Sequence, residues 1–168
     1  MTFLFDICQF LNDSAIGTAI RESDLMFPII ESVHVLGITL LVGTVAILDL
    51  RLLGLILRRE PVSQIAGQIL PWTWAGFAIM FASGFLLFWA EAVKCYGNPA
   101  FRLKVLLLVL VGLNPSIFHS TIYRRVSEWD TASVTPARAR LAAVLSLSLW
   151  SGVIVTGRAI AYFKSALR

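Results

Sequence analysis

The chain has 168 residues, 58% of them apolar and only 14% charged, with a mean hydropathy of +0.81. Soluble domains sit nearer half apolar and a quarter charged, so this composition argues against a water-soluble globule or an appended soluble domain. The net charge of +4 comes with no phosphate loop and no aromatic-basic RNA-binding pattern, so the basic residues read as those of membrane loops and nucleic acid is not an expected partner.

The apolar residues are bunched into runs of about 20, the length that crosses a hydrocarbon core roughly 30 Å thick. Backbone groups in lipid must be satisfied within the segment, so the runs predict helices. No short alternating segments of the barrel type are present. The expected fold is all-α: an integral membrane four-helix bundle with an N-terminal amphipathic interfacial helix.

In chain order, residues 1–24 form the amphipathic segment. Phe3, Leu4, Ile7, Phe10, Leu11 and Ile16 recur at helical spacing, with Asp6, Gln9, Asn12 and Asp13 between them. The stretch is too polar to span and suits the interface. It has no basic n-region and no cleavage site, so it does not read as a signal peptide. Ser23 and Asp24 offer an N-cap, and Pro28 falls in the early turns where proline is tolerated. Residues 25–168 make the membrane domain. Its first span is expected over about 25–57 and is most apolar from Val35 to Leu48. The second covers about 72–93, opening on Pro71-Trp72-Thr73-Trp74, an interfacial tryptophan pattern. The third covers about 101–123, with Pro115 predicted to kink it and to free the carbonyl of Val111. The fourth covers about 137–163, and its Ser146, Ser148, Ser151, Gly152 and Gly157 let a neighbouring helix approach closely.

Lysine and arginine counts set the expected orientation. The loops after the first and third spans share a side and carry Arg51, Arg58, Arg59, Arg124, Arg125, Arg138 and Arg140. The loop between the second and third spans has Lys94, Arg102 and Lys104. Seven against three places the arginine-rich side in the cytoplasm and both termini in the periplasm, in a bacterial inner membrane.

Ionisable residues inside a span are functional candidates. His34 and Asp49 are 15 residues apart on the first helix. Lys104 and His119 are 15 apart on the third, which runs in the same direction. At 1.5 Å per residue each pair is separated by about 22 Å, so the polar residues fall into two layers. An outer layer would hold Glu31, His34, Lys104 and Arg158. An inner layer would hold Asp49, His119 and Arg51, with His119 bonding the carbonyl freed by Pro115 or pairing with Asp49. Cys8 and Cys95 are too few for a metal or thioredoxin motif but are placed so that a disulfide is open to them.

The chain has only two histidines, and they lie at different depths, which counts against a haem held by both. A b-type haem could use His34 alone, or His34 with Lys104 or a methionine, with Lys104 and Arg158 on its propionates. The competing reading makes Glu31, His34, Lys104 and Arg158 a structural ion-pair network. Met80 reads as core filler, and no Met-rich or Cys-rich set suits copper. There is no nucleophile elbow, zincin motif, carboxylate pair or nucleotide loop, so a catalytic activity of its own is not expected.

Six stretches together resemble a domain-of-unknown-function family of bacterial four-helix membrane proteins. They are Phe27 to Gly37, Asp49 to Gly54, Pro71 to Trp74, Asn98 to Lys104, Gly112 to Asn114 and Gly157 to Tyr162. More distantly the plan is similar to CopD-type copper-resistance membrane proteins and HemJ-type protoporphyrinogen oxidases. By that resemblance His34 and Lys104 match a histidine and lysine associated with haem and porphyrin chemistry. The Trp-x-x-Gly and Leu-Pro-Arg elements of the HemJ type are replaced here by Leu41-Val42-Gly43 and Asp49-Leu50-Arg51, so the resemblance implies haem binding rather than the oxidase reaction. Three functions follow as expectations. The first is electron transfer or redox sensing through a haem at His34, between quinone and a periplasmic redox protein. The second is a non-enzymatic membrane subunit or scaffold, open to homo-oligomer formation. The third is metal or small-molecule transport.

Overall fold

Each apolar run folds as one helix in a computed structural model that describes residues 3–132 and 134–163. All regular structure among the described residues is helical. Four helices are long and apolar enough to cross a membrane: α3 (Met26–Leu52), α4 (Val62–Ala90), α6 (Pro99–Thr121) and α7 (Ala137–Ala159). Shorter helices α1 (Phe3–Asp13), α2 (Ala15–Glu22) and α5 (Ala92–Tyr96) gather at the end that carries the N-terminus, and a 3-10 turn, Tyr123–Glu128, follows α6.

The amphipathic segment is two helices rather than one. Ser14 breaks it: its hydroxyl donates to Leu11 O and accepts from the Gly17 amide, which ends α1 and caps α2. The same oxygen also accepts from Trp89 Nε1 at 2.8 Å. Arg21 donates to Asn12 O at 3.0 Å and to Ala90 O at 2.8 Å, so α1 and α2 are tied to the end of α4. Those carbonyls are the orphans expected at helix ends.

The span limits also shift. α3 stops at Leu52, five residues short of the apolar run, where Gly54 adopts a left-handed φ of 73°. α4 starts at Val62, so Pro71 lies well inside it and Trp72 and Trp74 stand exposed on its flank rather than marking its start. Proline removes one hydrogen bond from the ladder. Nearby, the Thr73 hydroxyl donates to Ile69 O at 3.1 Å and contacts Thr44 of α3 at 3.0 Å. α6 passes through Pro115 as one element.

The start of α4 is set by a loop 67 residues away. Asp130 accepts from the Ser63 amide at 2.8 Å and from the Ser63 hydroxyl at 2.6 Å, and the Val62 amide donates to Asp130 O at 3.3 Å. Partial burial pushes the Asp130 carboxyl up, but the Ser63 hydroxyl and amide, the Val62 amide and the Arg51 charge outweigh it and hold it below the usual carboxylate value. A depressed folded value means that this contribution is present above the unfolded pKa and is lost as pH falls through the folded one. Docking of the α6–α7 loop on α4 should therefore weaken only below about pH 4. Asp130→Asn should flatten that acid limb in a melting-temperature series, and an unchanged limb would exclude Asp130 as its source.

α3 packs on α4, α6 packs on α7, and α3 joins α7; no comparable backbone packing links α4 to α6 among the described residues. Glycine makes the α3–α4 contact possible. A Cβ on Gly76 would stand 2.8 Å from Leu41 N, and one on Gly37 would stand 2.8 Å from Ile79. Two apolar cores fill the inside. Leu41, Trp150 and Val153 are buried at mid-depth with Met80, Leu107 and Val111 around them. Leu52, Val62, Ala139 and Ala143 are buried at the arginine-rich end with Phe118 and Trp129. Large apolar side chains elsewhere are exposed along all four long helices, a surface suited to lipid.

Candidate functional site

The mid-helix serine of α4 sets the chemistry of His34. Ser83 is buried, and its hydroxyl donates its one hydrogen to Ile79 O at 2.6 Å. Its oxygen lies 2.9 Å from His34 Nδ1. With that hydrogen already used, the hydroxyl can only accept, so Nδ1 carries the proton. Nε2 is left with a free lone pair. This is the arrangement in which a metal-binding imidazole is held by a partner on its other nitrogen.

The ring has its place because α4 has a glycine beside Ser83. A Cβ on Gly84 would stand 3.0 Å from His34 Cε1. Across the bundle, the Lys104 stem lies over Gly157 of α7, whose Cβ would stand 3.5 Å from Nζ. Lys104 acts electrostatically on His34 and on Cys95. It makes no hydrogen bond and no ion pair among the described residues; their one ion pair is Lys94 with Glu91, at 2.8 Å. A half-buried ammonium without an anion is costly in a membrane and marks a place for one.

The structure thus brings His34 and Lys104 to one level and leaves Glu31 and Arg158 exposed on the outer flanks of α3 and α7. No ion pair joins any two of the four among the described residues, so the expected network does not form. The inner set also separates. His119 is exposed and stacks on Tyr123 (centroids 5.2 Å apart, 21° between planes), bonding neither Asp49 nor the Val111 carbonyl. Arg51 is buried and clamps Glu60 O through Nε at 3.0 Å and Nη2 at 2.8 Å, which closes the α3–α4 loop. Asp49, two residues earlier, points away from it towards Ser146 of α7. Cys8 and Cys95 are free, buried thiols where α1 meets α5. Burial, aided by Glu91 and Cys8 and opposed by Lys94 and Lys104, pushes the Cys95 thiol up to about 11. It is therefore an inert thiol rather than a nucleophile or soft ligand.

These features lie in one continuous sequence pattern, which matches a family description over residues 15–163. The chain belongs to DUF6644, a family of unknown function. The matched stretch runs from α2 to the residues just after α7 and so spans the positions of His34, Asp49, Ser83, Gly84 and Lys104 in this chain. No characterised protein and no solved structure matches this DUF6644 chain.

Sequence reading missed Ser83 and Gly84 and gave Ser146 only a packing role, because small residues in apolar helices usually serve packing alone. Their signal was there to use: each is a small residue set in a bulky apolar helix.

Proposed function

We propose that this DUF6644 protein is an integral membrane protein that holds a b-type haem through His34, at the end of the bundle where α3 and α6 start and α7 ends. The observation that supports this reading is the free Nε2 of His34, held by Ser83 on the other nitrogen. The residues fit the group in three respects. A neutral imidazole nitrogen can serve as an axial ligand, Gly84 and Gly157 admit the His34 ring and the Lys104 stem close against their helices, and Lys104 is a cation without an anion among the described residues. His34 would be the ligand, Ser83 would orient it, and Lys104 would pair with a propionate. Bound there, the iron would supply one-electron chemistry, for electron transfer or redox sensing between quinone and a redox protein. With the arginine-rich end in the cytoplasm, that level faces the periplasm.

The visible spectrum of protein purified from haem-replete cells tests this. A Soret band that shifts on reduction and is lost in His34→Ala is expected. Ser83→Ala should keep the band and move its midpoint potential. A colourless preparation would sink the haem reading. It would favour a scaffold, for which the His34–Ser83 bond between α3 and α4 is the supporting observation.

A further inference from the structure

Asp49 is buried, 6% exposed, in the inner part of α3, between the two apolar cores. The Ser146 hydroxyl of α7 is the side chain that reaches its carboxyl. The second oxygen, Oδ2, is buried with no hydrogen-bond partner.

The groups that would neutralise a carboxylate all turn elsewhere. Arg51 holds Glu60 O, and His119 lies on Tyr123. α4 has no ionisable side chain anywhere between Val62 and Ala90. On α7, Arg138 and Arg140 are exposed, and Arg158 is exposed at the far end; Arg58 and Arg59 after α3 and Arg124 and Arg125 after α6 are exposed as well. On α6, Lys104 sits at the His34 level. A buried carboxylate with an unbonded oxygen and no cation is far costlier than the neutral acid. A hard metal cation needs about six oxygens. Here one carboxyl and one hydroxyl converge, and no cluster of three or more His, Cys, Asp or Glu exists among the described residues. The ligand that satisfies the site is a proton.

We infer that Asp49 is a proton-binding carboxyl, neutral while α7 is docked on α3. Protonation of one Asp49 oxygen leaves the other to accept from Ser146. Release of the proton restores an anion that the α3–α7 interface does not tolerate, so proton occupancy is coupled to the packing of those two helices. This inference stands apart from the haem reading, since it involves the other end of the bundle.

The test compares melting temperatures of the full-length protein and Asp49→Asn, in one detergent, across a pH series from acid to alkaline. The folded state binds the extra proton, so wild-type stability must fall as pH rises. Asn resembles the neutral acid and has no proton to lose, so the two curves should coincide at acid pH and diverge as pH rises, with wild type the lower. Parallel curves would overturn the inference. If Asp49→Asn does not fold, dicyclohexylcarbodiimide, which attacks protonated carboxyls in apolar surroundings, decides on wild type. Peptide mass mapping should find the adduct at Asp49, with labelling that falls as pH rises. Adducts only at exposed carboxylates such as Glu31, or labelling at Asp49 independent of pH, would overturn it.

Discussion

Asn98→Ala will cost the bundle about 3 kcal/mol, a large part of the stability of a small domain. Asn98 is fully buried and uses its whole amide. Its Oδ1 accepts from the Ala100 and Phe101 amides at 2.9 and 3.2 Å, capping α6. Its Nδ2 donates to Ile160 O at 3.0 Å and Phe163 O at 2.9 Å, beyond the end of α7. One side chain therefore satisfies orphan donors at one helix start and orphan carbonyls at another helix end. Truncation leaves the Ala100 and Phe101 amides and the Ile160 carbonyl, on buried or half-buried residues, without this partner, which is the expensive way to lose a hydrogen bond. Asn98→Asp separates the two halves of the role. It keeps the acceptor, and negative charge is welcome at a helix N-terminus, but it faces the α7 carbonyls with an oxygen instead of a donor. Its loss should be smaller than that of Ala and should grow as pH rises through the new carboxyl. Equilibrium unfolding in detergent reads both, and equal stability of Asn98→Ala and wild type would remove Asn98 from the framework.

Gly76→Leu should be the other severe change, because it forces α3 and α4 apart. Even the first added carbon would stand 2.8 Å from Leu41 N and 3.0 Å from Leu41 Cα. Backbone atoms cannot swing aside as a side-chain tip can, so the helices must separate. Overpacking of this kind costs about 1–3 kcal/mol for a buried site, and a branched side chain against backbone belongs at the upper end or beyond. The separation should also break the Thr44–Thr73 and His34–Ser83 contacts, which join the same two helices at 3.0 and 2.9 Å. Gly67→Ala is the matched control. It lies on the same helix with nothing within 4 Å of its added carbon, so it should be neutral or stabilising by up to about 1 kcal/mol. A Gly76→Leu protein that melts with wild type would show that the α3–α4 contact is not tight in the membrane protein.

The two variants bear on different parts of the candidate site. Asn98 holds the start of α6, six residues before Lys104, and so sets the depth of the ammonium. Gly76 holds α4 against α3 and so sets Ser83 under His34. A protein that keeps its fold but has lost either contact should lose haem in parallel, if the reading of His34 is correct.

The sequence by itself determined the helical class and the number of helices long and apolar enough to cross a membrane. Runs of apolar residues long enough to cross a bilayer leave the backbone no choice but helix, whatever their neighbours do. It also placed His34 and Lys104 at one level, since rise per residue and parallel direction suffice for that. Depth is a property of a single helix, but facing is not. Glu31 shares a stripe with His34 near the start of α3, yet it stays exposed while His34 turns onto Ser83, 49 residues along the chain. Asp49 and Arg51 are two residues apart, and only the neighbours decide that one meets Ser146 and the other the Glu60 carbonyl. Hydropathy extended the first span to residue 57 and began the second near 72. The actual ends come from Gly54 and from Asp130, which caps α4 from a different loop. The four helices were written in local composition; the tautomer of His34 and the unpartnered oxygen of Asp49 were decided by which small residues on other helices let them come close.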